Sequence, residues 1–524
     1  MLFRSGDFTR ISFDATNHFS QVLMQQGRVT LDADPNEQGA ILLHYLHTLA
    51  RDLIGPYGGP ADAMGFELTL DTTTRPGNPA LMIGAGRYYV DGVLVENEAE
   101  CDYAHQPDWA PPADDPLLQR LKSQISEDVW LYLDVWERHV SAVEHDAIRE
   151  PALGGPDTCS RSKVVWQVRG VALSALLARL TALLEDGAAR LADTTLAADE
   201  RAALQAQQAR LNDDLTRLQP NADGQGGRDC SAPLDTLIGL SDAQLTARLD
   251  PGQQVRDPCV ISPDAQYRGA ENQLYRVEVH QGSALGTTPT FKWSRDNGSV
   301  ATRWLATEGD DLVAASSRGF TAGCWVELSD DAHDLMGAPG LLVKLAKVEG
   351  DRLSVDAGSV PSGATLALTP AMANPKLRRW DQTESDDTVL DDGAVPIAEA
   401  STTDAHWLDL EDGIQVQFAP GGHYRSGDYW LVPARVATGS IDWPHSVSGS
   451  GVVSGLAQPP RGVEHHYAPL GFLGIMNETL ALSACLCTIE PGNSCSRNRR
   501  VEGDFVRPVR KPVKPRPKLP LKPA

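Results

Sequence analysis

The residue types that could do chemistry in this chain are histidine, cysteine and clustered acid. His465, His466 and Tyr467 stand side by side, with Glu464 before them and His423 upstream. A metal centre needs three or four such groups converging on one point. Neighbouring residues of a strand point to opposite faces, so His465 and His466 make a poor pair of ligands. They read more simply as a polar patch beside Pro469 and Leu470. Cys485 and Cys487 with Cys495 form a second candidate, but structural zinc sites usually space paired cysteines by about two to four residues. Cys159, Cys230 and Cys259 leave a zinc site, a disulfide or ordinary reduced thiols open. Acid clusters at Glu308 with Asp310 and Asp311, at Asp330 and Asp331, and at Asp386, Asp387, Asp391 and Asp392 could offer oxygens to calcium. None has the spacing of an EF-hand, and each also reads as a solvated loop. Phosphate-loop, nucleophile-elbow and zinc-helix patterns are missing. Gly84 and Gly86 lead into a strand, whereas a dinucleotide site needs a helix N-terminus there. No catalytic, cofactor or metal residue is assigned, and the expectation is a protein that is not an enzyme. A wall- or polysaccharide-cleaving hydrolase is the enzymatic alternative, but its carboxylates cannot be picked out among 70 Asp and Glu.

The elements that would position such residues belong to a large acidic chain of 524 residues and formal net charge −24. That charge opposes nucleic-acid binding and favours a basic partner. From residue 497 onward the chain carries +8, leaving −32 on the rest. No secretory leader is visible at the start and no apolar run is long enough for a membrane span. The expectation is therefore cytoplasmic synthesis, then either release by lysis or retention in the cell.

Periodicity predicts a mainly β fold: several tandem sandwich- or barrel-like modules with one N-terminal helix and an inserted α-helical hairpin. Residues 1–56 read as an extended arm, with a Gln-Gln-Gly-Arg turn between two short strands, followed by a helix. Asp34 suits its N-cap, Pro35 its first position and Glu37 its third. Ile41, Leu42, Tyr45, Leu46, Leu49 and Leu53 form one apolar face, and the following β-domain is the nearest candidate to cover it. Gly55 and Pro56 end the helix. Residues 57–171 read as a β-domain, with Asp91-Gly92 as a tight hairpin turn and 129–136 as a strand covered on both faces. Residues 172–258 hold the helical hairpin, broken at 185–187, and a polar loop. That hairpin either closes on itself or serves as a docking arm. Residues 259–310 read as a β-hairpin region continuing the β-domain, turning at Asn297-Gly298. Residues 311–375 read as a small barrel or sandwich, 376–496 as a C-terminal β-region, and 497–524 as a basic Pro-rich tail without a core.

Seven of the eleven tryptophans fall in the second half, at strand-like positions: Trp293, Trp304, Trp325, Trp380, Trp407, Trp430 and Trp443. They suit core packing or, where exposed, contact sites and sugar platforms.

Several motifs carry a resemblance. The opening runs from Gly6, Asp7, Phe8, Thr9 and Arg10 to Met24, Gln25, Gln26, Gly27, Arg28 and on to Asn36, Glu37 and Gln38. Further motifs are 83–97, 267–278, 291–300 with Trp293 and Arg295, 379–382 with Trp380, 427–435 with Trp430, and 465–470. Over about residues 6–475 the chain resembles the DUF6519 family (domain of unknown function 6519), typical of gene clusters for phage-tail-like contractile injection systems. Pro35 departs from the pattern, where a tryptophan is expected. The resemblance implies a structural subunit near the baseplate, spike or fibres. Its partners would be other particle proteins and further copies of itself, with a cell-surface glycan as the alternative ligand. Assembly contacts are expected at Phe8, Arg10, Met24, Gln25, Arg28, Trp293, Arg295, Trp380 and Trp430. The family brings no catalytic residue or cofactor.

Overall fold

The computed structural model describes residues 5–72, 79–122, 127–192, 198–218, 230, 241–250, 266–283, 287–384, 388–400, 406–447, 453–476 and 479–489. The basic tail, Cys259, Cys495, Asp386, Asp387 and most of the 219–258 loop lie outside them. The fold is mainly β, with five α-helices among the described residues: α1 (Ala33–Ile54), α2 (Pro116–Leu121), α3 (Leu173–Leu191), α4 (Ala198–Leu218) and α5 (Asp331–Met336).

The first body is built on two twelve-residue strands, Val129–Val140 and Arg161–Ala172, paired antiparallel along their whole length. His465–Met476 joins the other edge of Val129–Val140, and Thr479–Ala484 follows it. One face of this sheet buries Leu131, Leu133, Val135 and Val168 against Tyr88 and Val95 from one neighbouring sheet, Leu68 and Leu81 from another, and Phe66 from the loop before Leu68. The other face presents Trp130 and Phe472 to Leu176, Leu180, Leu183, Leu211 and Leu218 of α3 and α4. Both faces are thus covered, which is why residues 129–136 have no polar alternation. The helical hairpin closes on itself and on the sheet. α3 runs through Glu185, Asp186 and Gly187 without the expected break, because one helical glycine costs only about 1 kcal/mol. Cys230 is disulfide-bonded to Cys485, joining the segment after α4 to the end of the sheet. Cys487 is also in a disulfide, and Cys101, Cys159 and Cys324 are free.

The second body pairs Gln273–Gln281 with Thr290–Ser294 on one side and Tyr429–Arg435 on the other. It packs on the sheet of Leu245–Leu249, Ile414–Phe418 and Leu408–Asp409. Residues 259–310 therefore do not continue the 57–171 sheet. Alternation reveals which face of a strand is buried, not which strand it bonds. The third body is a closed six-stranded barrel of Ala301–Glu308, Asp311–Ala314, Arg352–Val355, Leu341–Glu349, Trp325–Ser329 and Lys376–Trp380. It takes in residues on both sides of 311–375. The 376–496 region is thus shared among all three bodies. Asn297 and Gly298 both have positive φ, 55° and 62°, but they do not close a hairpin. The strand before them belongs to the second body and the strand after them to the barrel.

The expected hairpin at Asp91-Gly92 is present, with φ 49° and 87° between Gly86–Val90 and Val93–Asn97. The turn lies against α1: a Cβ on Gly92 would sit 2.1 Å from the His47 carbonyl oxygen. Gly92→Ala combines that clash with a backbone strain of about 1–3 kcal/mol. The expected result is selective loss of hydrogen-exchange protection across residues 33–54, with the 129–172 strands unaffected.

α1 begins earlier than expected. Asp32 holds the N-cap position, and Asp34 lies in the first turn, accepting from the Leu31 amide at 3.0 Å. Pro35 is tolerated because the first-turn amides have no intrahelical partner. Glu37 accepts from Ser12 Oγ at 2.6 Å instead of capping the helix. Gly55 closes the helix with φ 92°.

Candidate assembly surface

The arm before α1 is tied down at its base. Gly6 donates to the Asn297 carbonyl at 3.2 Å, and Asn297 Nδ2 returns a bond to the Gly6 carbonyl at 3.0 Å. Arg276 Nη1 holds Asn297 Oδ1 at 3.3 Å. The Asn-Gly turn is therefore a clamp for the chain's start. Phe8 is half-buried, its ring edge-on to His139 at 6.1 Å. The Thr9 amide donates to Asp32 Oδ2 at 3.0 Å, closing a loop of residues 10–31. The loop runs beside α1, with the Val22 amide on Gln38 Oε1 at 2.8 Å and Phe13 against His44. A turn at Gln25 to Arg28 is present, with Gly27 at φ 72°, but no strand flanks it.

The apolar face of α1 is not covered by the β-domain. Ala33, Ala40 and Ile41 are buried, while Leu42, Tyr45, Leu46, Leu49 and Leu53 are 54–66% exposed. The helix rests on its His47 and Arg51 side, where Arg51 meets Asp91 at 3.4 Å. A cavity of about 490 Å³ lined by Phe13, Leu43, His47, Glu137, Val463 and His466 lies beneath it. Burial there pushes His47 below its ordinary pKa, against the pull of Glu137. The arm, which runs beside α1, leaves Phe19, Leu23, Met24, Val29 and Leu31 exposed as well. Ten of the seventeen exposed large apolar side chains among the described residues thus fall between 19 and 53. Scattered surface apolars need no explanation, but a concentration of this kind marks a contact surface.

The motifs of the opening and of this surface are part of one long match: residues 4–504 fit the model described as "Family of unknown function (DUF6519)". The chain belongs to the DUF6519 family. No curated protein matches it. One solved structure, titled "Crystal structure of TssK", aligns at 9% identity and TM-score 0.16, covering 78% of this chain and 98% of the other. That score is too low for the alignment to carry any argument.

Other residues singled out in the DUF6519 motifs divide sharply. Arg10, Met24, Gln25 and Arg28 are exposed on the arm. Trp293, Trp380 and Trp430 are 1–3% exposed and are core residues, not contacts. Trp380 Nε1 donates to Glu327 Oε2 at 2.9 Å, and Trp430 Nε1 to the Gln458 carbonyl at 2.9 Å. Arg295 is engaged within the chain, with Nη2 2.9 Å from Glu411 and its amide on Asp381 Oδ2 at 3.0 Å. Strand position alone could not separate a buried tryptophan from an interfacial one. Trp304, Trp325 and Trp443 are also buried, and Trp407 lies beneath Arg248 at 3.8 Å.

His465 and His466 take separate carboxylates, Asp134 at 2.6 Å and Asp91 at 3.3 Å. Among the described acids, Glu308 and Asp311 face Arg352, Asp330 caps α5 and accepts the His333 amide, and Asp331 holds Arg138.

A buried joint between the three bodies escaped the sequence reading. Lys292 Nζ, from the second body, lies 2.6 Å from barrel Glu327 and 3.3 Å from Glu278, over the Trp380 ring. Glu327 also accepts the Gly340 amide at 3.0 Å. Burial raises the Glu327 pKa, but Lys292, His280 and these bonds outweigh it and hold the group down at about 2. Lys376, from the barrel, contacts Asp334 of α5 and Glu144 of the first body, the latter at 2.9 Å. Arg138 reaches the same Asp334 at 2.9 Å. The only available signal was opposite charge at strand positions flanked by large apolar residues, as in Phe291, Lys292 and Trp293. Nothing in the spacing pairs Lys292 with Glu327.

Proposed function

We propose that this chain is a structural subunit of a phage-tail-like contractile particle, near its baseplate, spike or fibres. It acts by docking its arm and the outer face of α1 onto neighbouring subunits and not by catalysis. The observation that carries this reading is the concentration of ten exposed large apolar side chains between Phe19 and Leu53. The particle setting comes from the family resemblance. The chain is made in the cytoplasm, and its Cys230–Cys485 bond suits an oxidising setting after release. Six tryptophans that could have formed sugar platforms are buried, so the glycan-binding alternative loses them.

The test is copurification with sheath and tube proteins from cells carrying the gene cluster. Wild-type chain is expected at fixed stoichiometry, and Leu23→Glu with Leu49→Glu is expected to be folded but absent from the particle. A wild-type chain that never joins particles overturns the reading.

A further inference from the structure

Leu42, Leu46, Leu49 and Leu53 are spaced four, three and four residues apart. This is the a/d seam of a helix that packs against another helix, narrower than the stripe of a helix packed on a sheet. The spacing reads the same from either end. A second, antiparallel copy related by a two-fold axis between residues 47 and 48 places Leu42 against Leu53 and Leu46 against Leu49. Such an arrangement is self-complementary and opposes the two helix dipoles.

The size of the surface bears on the same point. Complete burial of one large apolar side chain removes roughly 60–120 Å² from water. The five α1 side chains, a little over half exposed, therefore supply roughly 200–350 Å². A stable pair hides about 800 Å² per partner, somewhat more than half of it apolar. The seam alone falls short, while seam and arm together suffice at roughly 400–700 Å².

We infer that the first partner of this surface is a second copy of the chain, with α1 pairing antiparallel at the centre and the arm residues Phe19, Leu23, Met24, Val29 and Leu31 closing around it. The inference deepens the assembly reading and rests on it for its biological purpose, but the pairing is a property of the isolated chain. Because two strongly acidic bodies approach each other, added salt strengthens the pair. The rival contact, a basic tail on an acidic neighbour, is weakened by salt.

The experiment uses full-length chain in a Cys159→Ser background, because Cys159 is free and exposed. Sedimentation equilibrium is expected to show a monomer–dimer equilibrium that tightens with salt. Leu46→Glu is expected to weaken it at least about tenfold, which corresponds to about 1.4 kcal/mol. Leu305→Glu, equally exposed on the barrel, leaves it unchanged. Thermal midpoints confirm that both variants fold. Under mild oxidation a mixture of Leu46→Cys and Leu49→Cys chains is expected to cross-link to each other in preference to themselves. A monomer at the highest soluble concentration, salt-weakened association, or preferential self-cross-linking overturns the pairing. A chain that enters particles but stays monomeric removes this inference and leaves the assembly reading standing. A chain that pairs but never enters particles does the reverse.

Discussion

Lys292→Met is expected to destabilise the chain by about 3–5 kcal/mol, as removal of one partner from a buried ion pair does. Lys292 is 3% exposed and lies between Glu278 and Glu327, both strongly buried. Methionine keeps most of the side-chain volume over the Trp380 ring, so the loss is electrostatic and not a cavity effect. Glu278 keeps Arg276, whose Nε bonds it, but Glu327 loses the cation that faces it. The measurement is the urea midpoint followed by tryptophan fluorescence, to which Trp380 reports directly. Lys292→Met with Glu327→Gln is expected to recover a substantial part of the loss, because the stranded charge is gone. Lys163→Met provides the contrast. Lys163 is half exposed and pairs with Asp108 at 2.7 Å, so its loss is expected to cost no more than about 1 kcal/mol. Equal effects at the two positions would show that the joint is not desolvated.

The chain is expected to lose stability in two stages as pH falls. Burial pushes His139 and His280 down to about 4. His139 Nε2 and His280 Nδ1 are buried with no hydrogen-bond partner among the described residues. Their folded values lie below the ordinary 6.5, so the unfolded chain binds protons first. Their contribution is complete above pH 6.5 and drains away between about 6.5 and 4. A shift of that size corresponds to about 3 kcal/mol for each histidine. Glu144 and Glu327 define the second stage. Burial alone would raise Glu144, but Lys376, Ser141 and Arg378 outweigh it and hold the group at about 2. Both carboxylates stabilise the fold above their ordinary 4.5, and this contribution is lost as pH falls towards 2. His423, raised chiefly by its bond to Asp242, and Asp115, Asp381 and Glu411, raised by burial, act in the opposite direction through smaller shifts. The urea midpoint measured from pH 7.5 to 3 is expected to fall in both stages. His280→Met is expected to flatten the first stage and leave the second. A midpoint that is constant between pH 6.5 and 4.5 would contradict the burial of these imidazoles.

Much of the architecture was legible because it is written locally. The Asp91-Gly92 and Gly55 positions depend on φ alone, and α1, α3 and α4 on a repeating apolar stripe. Long-range pairing left no comparable mark. The Gln273–Gln281 strand bonds Tyr429–Arg435, more than 140 residues away, and Asn297-Gly298 has the composition of a hairpin turn while joining two different bodies. The arm was legible as a poorly covered extension. Its use of Asn297 as a clamp was not, because the arm contributes only the Gly6 backbone to those bonds and no distinctive side chain of its own.

By itself, the amino-acid sequence determined family membership, a mainly β composition of elements, and the existence of an apolar face on the first helix. Only the tertiary structure decided that this face stays in water while six of the seven tryptophans of the second half do not. The physical reason is that a side chain's pattern specifies that it must be buried, whereas the partner that buries it is chosen by packing between elements distant in sequence. For Trp293, Trp380 and Trp430 that partner is the chain itself. For Leu42, Leu46, Leu49 and Leu53 the described residues offer none, because α1 rests on its His47 and Arg51 side.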